Sequence, residues 1–473
     1  MSTISVNKQR RTLLQSIATL SLVPLLPPVA LGRLEDRRII VVGAGLAGLA
    51  AARVLSAQGV DVIVLEARQR VGGRVYTLDS VSGHPEAGAN VLGSSYGRVI
   101  DSARAGNVAL HPVPRGGATG FAIGGQRILA AEWENSPANP LSGPLRRLSP
   151  SALLGAALRD NPLRASTDWQ NPVFANLDVP ADAYLRELDF DDAAIALIDA
   201  NNSYGNRIGD TSMVSFLRVG SNFARGAAMG QPPLEAEGGN SRLPEALASA
   251  LGDRVKRGVD ITSVRTVSEG LRLEDSNGQS YEADALILAL PIPALRRLEL
   301  PPLSDLQREG IDQIEYNKVT QVHLLVDTPY TSEQVPGSWW TDGPVGRLFL
   351  REGTDGEPGN LTVWINGDDC DKLRDLSTEE AGEQVRRQVE TLLPEAAGSL
   401  SVSAVVRWAD DPFAGGSWAV WAPGQIGRYL DALQTPVGNI FFAGEHLARA
   451  NPGMEGAMES GERAALEALR VIL

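Results

Sequence analysis

The sequence predicts an α/β fold built around a parallel-strand, nucleotide-binding unit. Three observations predict it. A β-branched run leads into a glycine-spaced turn, that turn opens a helical stretch, and a second strand then ends on an acidic residue. The first strand is Arg38-Ile39-Ile40-Val41-Val42, rich in the branched residues that strands favour. Gly43-Ala44-Gly45-Leu46-Ala47-Gly48 follows and starts a helix through Ser56. Val60 to Leu65 is the second strand, and Glu66 stands 18 positions beyond Gly48. Gly43 allows the tight turn, Gly45 lets the backbone approach a pyrophosphate, and Gly48 lets helix and strand pack closely. The free N–H groups of the helix start favour phosphate. Glu66 can accept hydrogen bonds from the two hydroxyls of an adenosine ribose. The unit reads as a Rossmann-like dinucleotide site, against the alternative of a plain glycine-rich turn.

Composition narrows the rest. A chain of 473 residues has room for two to four domains. Its 43% apolar and 21% charged residues are those of an ordinary globular protein. With 43 basic and 57 acidic residues the net charge is −14, which argues against a nucleic-acid partner. Cys370 is the single cysteine, so neither an internal disulfide nor a cysteine zinc site can form. His84, His111, His323 and His446 have no metal-binding spacing, and no metal site is expected. His323 sits in an apolar run and is expected to be structural.

Residues 1–32 read as an address. Arg10-Arg11-Thr12-Leu13-Leu14-Gln15 has the form of a twin-arginine signal, followed by a short apolar stretch broken by Pro24, Pro27 and Pro28. That stretch is too short and too proline-rich to span a bilayer. The expectation is a signal peptide for export of the folded protein to the periplasm, with no integral membrane span. The alternative is a basic tail.

The residues after Glu66 extend the nucleotide signature: Ala67-Arg68-Gln69-Arg70-Val71-Gly72-Gly73-Arg74. Further along stand Glu86-Ala87-Gly88-Ala89-Asn90, Gly238 to Pro244, Tyr316-Asn317-Lys318-Val319, Trp408 and Gly415-Gly416-Ser417-Trp418. Phe442-Ala443-Gly444-Glu445 and Met454-Glu455-Gly456-Ala457 complete the series. From about residue 36 onward this pattern resembles the flavin-dependent amine oxidase family, which includes monoamine and polyamine oxidases. The resemblance is weakest between about 115 and 235. It implies FAD as cofactor and a Rossmann-like FAD-binding domain made of 33–115, 236–297 and 402–473. An α+β substrate domain, 116–235 and 298–401, would be inserted into it. It also implies oxidation of an amine C–N bond to an imine, then hydrolysis to a carbonyl and an amine or ammonia. The partner is a small amine. The electron acceptor is O2 or a respiratory carrier, and the assembly a homodimer or monomer.

The resemblance also implies roles for individual residues. Gly43, Gly45, Gly48, Glu66, Gly72, Gly73, Ala89 and Gly444 frame the cofactor. Arg68 and Arg74 stand near the diphosphate, unless they are solvated surface arginines. The Val259 backbone meets the adenine, and Glu445 meets the ribityl–phosphate region. Met454 offers its N–H to a flavin carbonyl at a helix start, or else packs in the core. Asn90 lies beside the ring or in a structural turn.

Three departures from well-known members matter. Ser417 occupies the place of a cysteine that some members link to the flavin, so FAD is expected to bind non-covalently. Many members present two aromatic rings to the flavin. Trp418 matches one of them and Gly453 the other, so one wall is present and one missing. A lysine beside the flavin was assigned to the region Pro291 to Pro302, where only Arg296 and Arg297 stand. An arginine does not release its proton at working pH. That placement puts fast reaction with oxygen in doubt and favours a respiratory carrier. The competing readings are an L-amino-acid oxidase with Arg207 or Arg218 as carboxylate clamp, a desaturase or porphyrinogen-type oxidase, and a flavin-binding protein without turnover. Trp339, Trp340 and Trp364 either line the pocket or pack in a sheet. Cys370, in an acidic turn, is not expected to be a reactive thiol.

Overall fold

The computed structural model describes residues 36–113, 119–332, 334–351, 353 and 359–472. The expected signal segment, 1–32, lies outside the described residues. Among the described residues no helix is long and apolar enough to cross a membrane.

Five short strands, distant in sequence, form one parallel sheet. Its order is Ile440–Phe442, Ala285–Leu288, Arg38–Val42, Asp61–Glu66, Val255–Arg257. The first strand read from the sequence is central, with Val41 beside Val64 on one side and Ile287 on the other. Ile39, Val41, Val62, Val64, Leu286 and Ile287 are fully buried, as a parallel sheet covered on both faces requires. Helix Leu46–Ala57 starts directly after the glycine turn. The closing helix, Gly453–Ile472, lies against it.

That contact is made by small residues. Ala47, Ala50, Ala51, Ala464, Ala465 and Ala468 share one core. A Cβ on Gly461 would stand 2.0 Å from the Ala47 carbonyl oxygen, so only glycine allows this approach.

A second, seven-stranded sheet lies beyond the nucleotide unit. Its order is Leu400–Arg407, Val319–Val326, Gly359–Asn366, Arg347–Arg351, Ser338–Thr341, Thr119–Ile123, Gln126–Leu129. Val319–Val326 is the second strand from one edge and nearly all buried. The strand Leu400–Arg407 hydrogen-bonds along it, so the boundary expected at 401/402 is corrected: it falls inside a strand of this larger sheet. His323 lies fully buried in the same strand, its Nδ1 3.2 Å from Thr362 Oγ1. Burial takes its pKa down to about 4, which fits the structural role. Trp339 and Trp340 are core residues.

Replacing Gly461 with alanine forces the two helices apart. We expect Gly461→Ala to lose about 2 kcal/mol or more of stability, measured by urea unfolding. Leu466→Ala, exposed on the same helix, should change little.

Candidate active site

A long cavity runs from the glycine turn to Trp418. It is lined by Gly43, Gly45, Glu66, Arg68, Gly72, Gly73, Arg74, Ala89, Asn90, Val259, Gly444, Glu445, Gly453 and Met454 among others. The structure thus gathers nearly all the residues singled out in the sequence around one space. Gly48 is the exception, and its place explains it. A Cβ there would lie 1.9 Å from the Gly43 carbonyl oxygen, so it sets the helix-to-turn packing behind the cavity.

The turn is held by Gly43, whose φ of +101° favours glycine. Its N–H donates to the Leu65 carbonyl at 2.8 Å. Gly45 is different. It caps helix Leu46–Ala57, and a Cβ built on it meets nothing within 4 Å. Open space therefore lies at a helix N-terminus, where an anionic diphosphate is favoured. Glu66, nearly fully buried, accepts the N–H of Ala44 at 2.7 Å and of Arg68 at 2.9 Å. Each oxygen keeps a further lone pair for ribose hydroxyls.

Glu445 joins the middle of the cavity to its far end. Its Oε1 accepts the Ala419 N–H at 2.8 Å and Arg74 Nη1 at 3.3 Å. Its Oε2 is buried and has no partner in the protein. A buried acceptor left open asks for a donor, which a ligand hydroxyl would supply. The open space at Gly45 and this unpaired oxygen both fit an extended dinucleotide.

At the far end stand Trp418, half-buried, and Gly453. Val319, Gln321, Trp364 and Trp408 from the larger sheet close the wall. Gly453 has φ +64°, and the nearest group to a Cβ there is the Tyr96 hydroxyl at 3.3 Å. Tyr96 therefore approaches the space of the missing ring, and burial raises its pKa to about 12, so it stays protonated. Met454 is the second residue of the closing helix, and the positive end of a helix dipole lies at its N-terminus, here on the cavity. Ser417 Oγ donates to the Asn317 carbonyl at 3.0 Å.

Several expectations change on contact with this geometry. Arg68 forms an ion pair with Asp411 and stacks 5.0 Å over Phe413, so its charge is already matched. Arg74 donates to the Ser417 carbonyl at 2.7 Å. The Val259 N–H is taken by the Glu66 carbonyl at 2.9 Å, so a backbone contact to adenine would fall to the Val259 carbonyl. The two arginines of the region matched to the lysine differ in placement. Arg296 turns away, giving Nε and Nη2 to the Ile311 and Ile314 carbonyls at 2.6 Å each. Arg297 lines the cavity with Val259 and Asp260, 3.7 Å from the Asp260 carboxylate. No lysine lines the cavity among the described residues.

The polar group facing the Trp418 region is Gln321, which sequence reasoning missed. With its amide oriented to match its neighbours, its nitrogen donates to the carbonyls of Ala87 at 2.8 Å and Glu86 at 3.2 Å. Trp408 Nε1 donates to the same Ala87 carbonyl at 2.7 Å. Neither proposed carboxylate clamp reaches the cavity. Arg207 is exposed and paired with Asp368. Arg218 is buried and spends Nη2 on the carbonyls of Ala448 and Asn451, at 2.8 and 3.0 Å. Of the three tryptophans in doubt, Trp364 alone lines the pocket. Burial pushes the Cys370 thiol up to about 11, so it is inert at neutral pH.

A family model described as flavin containing amine oxidoreductase matches residues 46–469. The chain belongs to this family. Human amine oxidase [flavin-containing] B is 26% identical over 463 residues, covering 92% of this chain and 86% of that protein. Wild-type putrescine oxidase bound to putrescine superposes with a TM-score of 0.77 at 22% identity, over 92% of this chain and 99% of that one. Cyclohexylamine oxidase from Brevibacterium oxydans superposes with a TM-score of 0.75 at 21% identity, with the same coverages. The chain is therefore an enzyme, a flavin-containing amine oxidoreductase with the two-sheet fold of these structures.

One carboxyl of this amine oxidoreductase, Glu86 on the stretch leading to Ala89 and Asn90, is pushed toward neutrality by burial. Burial raises Glu86 from the usual range to about 7, opposed by the Asn240 N–H at 2.6 Å and by the Thr77 hydroxyl. A raised carboxyl pKa gives stability that is full below the unfolded pKa of about 4.5 and lost as pH rises through about 7. We expect the Tm contribution of Glu86 to fall between pH 5 and pH 8. Glu86→Gln should flatten that part of the Tm–pH curve and raise Tm at pH 8.

Proposed function

We propose that the enzyme holds FAD non-covalently and oxidises a small amine at its C–N bond, releasing a carbonyl and an amine or ammonia after hydrolysis. The observation that carries this reading is the single cavity joining the open space at Gly45 to Trp418 and Gly453. In it, Glu66 would hold the adenosine ribose, the helix start at Gly45 the diphosphate, and Glu445 Oε2 a ribityl hydroxyl. The Met454 N–H would meet a ring carbonyl, where a helix N-terminus favours negative charge. The bound flavin supplies the acceptor for a hydride equivalent from the amine carbon. Ser417 carries no thiol, which supports non-covalent binding.

The chain's own residues orient and desolvate the substrate. Trp418, Trp364 and Trp408 give an apolar wall, which lowers the local dielectric and favours the neutral amine. No histidine or lysine lines the cavity among the described residues, so no protein base is invoked. With no lysine present, we read a respiratory carrier as the physiological acceptor, after export to the periplasm.

The test is an anaerobic titration of the flavin-loaded enzyme with a panel of amines, watching the visible absorbance. One group of amines should bleach it. No bleaching by any amine, with dithionite still effective, would overturn the reading. Acid precipitation should leave the flavin in the supernatant. Glu66→Ala should retain flavin more than tenfold less tightly in gel filtration, since hydrogen bonds to a charged group contribute roughly 2 kcal/mol. Air reoxidation in stopped flow should be slower than turnover with a quinone acceptor.

A further inference from the structure

The loop that leads into Gly453 is held from two sides. Residues 448–452 connect the short helix Glu445–Leu447 to the closing helix, so Glu445 precedes the loop and Met454 follows it, both lining the cavity. From the closing helix, the Glu459 carboxylate accepts the N–H groups of Arg449, Ala450 and Asn451 at 2.8, 2.9 and 3.0 Å. From the opposite side, Trp169 Nε1 and Gln170 Nε2 donate to the Arg449 carbonyl at 2.6 and 3.1 Å. Arg218 completes the clamp, its Nη2 donating to the carbonyls of Ala448 and Asn451 at 2.8 and 3.0 Å.

Arg218 brings more than hydrogen bonds. It is buried on helix Met213–Ala228, with its guanidinium 3.9 Å from the centre of the Trp169 ring. Two carbonyls and a π face stabilise a cation without cancelling its charge. Among the described residues Arg218 forms no ion pair; these three groups are its partners. Burial takes its pKa down to about 10, so the charge persists at neutral pH. The groups whose charge acts on it are Glu459, Glu445 and the Tyr96 phenol. The Tyr96 hydroxyl stands behind Gly453, so the guanidinium is close enough for its field to reach the far end of the cavity. Asn451 comes three residues before Met454, which puts the guanidinium on the order of 10 Å from the Met454 N–H.

We propose that Arg218 is a positioning residue for the flavin: it fixes the loop that sets Gly453 and Met454, and its unpaired charge raises the reduction potential of the bound ring. The proposal rests on the flavin-holding reading of this cavity. Uptake of two electrons and one proton gives the ring one net negative charge, which a nearby buried cation favours. Two unit charges about 10 Å apart, at the dielectric effective in proteins, attract by about a factor of ten in an equilibrium constant. Arg218 needs no contact with the ligand to exert this. The field passes through the loop, and the loop keeps the cation dry.

The experiment measures the potential of the bound flavin by anaerobic titration against reference dyes, in the wild type and in Arg218→Gln, Arg218→Lys and Glu459→Gln. Glutamine keeps two N–H donors for the two carbonyls and drops the charge; lysine keeps donors and charge. At a fixed applied potential, we expect the ratio of reduced to oxidised flavin to fall about tenfold in Arg218→Gln, a shift of about −30 mV for a two-electron couple. Arg218→Lys should recover most of it. Glu459→Gln removes an opposing charge and should shift the ratio the other way. A change of less than twofold in Arg218→Gln, or an equal loss in Arg218→Lys, would overturn the proposal. Should Arg218→Gln fail to fold, an unmoved potential in Glu459→Gln overturns it instead. A wild type that takes up no flavin overturns the cofactor reading, and the proposal with it.

Discussion

The structure depends on the close approach of two helices, Leu46–Ala57 and Gly453–Ile472. The first begins at the glycine turn and the second at Gly453. Their contact through alanines and Gly461 fixes the two helix starts at the edge of the same cavity. Both N-termini then contribute partial positive charge to one elongated site. A bulkier seam would separate the dinucleotide end from the reaction end, whatever the residues at either.

The parallel sheet sets the complementary constraint. Gly43, Glu66 and Ala289 stand at or just beyond the carboxyl ends of neighbouring strands, the edge where open α/β sheets place their ligands. The larger sheet supplies a wall rather than a cradle. Its strand Val319–Val326 carries Val319 and Gln321 into the cavity while His323 and Leu324 stay buried. Chemistry at the far end is thus left to a rigid surface with few titratable groups, consistent with a cofactor that does the hard step.

What was legible in the sequence was local. The strand Arg38–Val42, the glycine turn and Glu66 lie within thirty residues and obey spacing rules. The strand Val319–Val326 shows an apolar run only at its Leu324-Leu325-Val326 end. What was not legible depends on register and rotation. Gln321 is one of three polar residues in its strand, with Thr320 and His323, and its place in the cavity follows from pairing with Trp364 on a strand some forty residues away. Tyr96 reaches Gly453 across more than three hundred residues. Arg296 and Arg297 share the region matched to the lysine, but the short helix Ile292–Leu295 turns Arg296 onto the carbonyls of Ile311 and Ile314 while Arg297 stays in the cavity wall. The boundary near 402 failed similarly, since a strand's membership in a sheet is set by its neighbour.

The order of the parallel sheet has a consequence for how the molecule is made. Its edge strand, Ile440–Phe442, and the helix that starts at Gly453 come from the last tenth of the chain. They carry Gly444, Glu445 and Met454, which close the cavity. The glycine turn and its two strands lie far ahead of them in the chain, so the cavity has all its walls only when the two regions meet. A nascent or C-terminally clipped chain would carry an exposed edge at Ala285–Leu288, open to pairing with other chains.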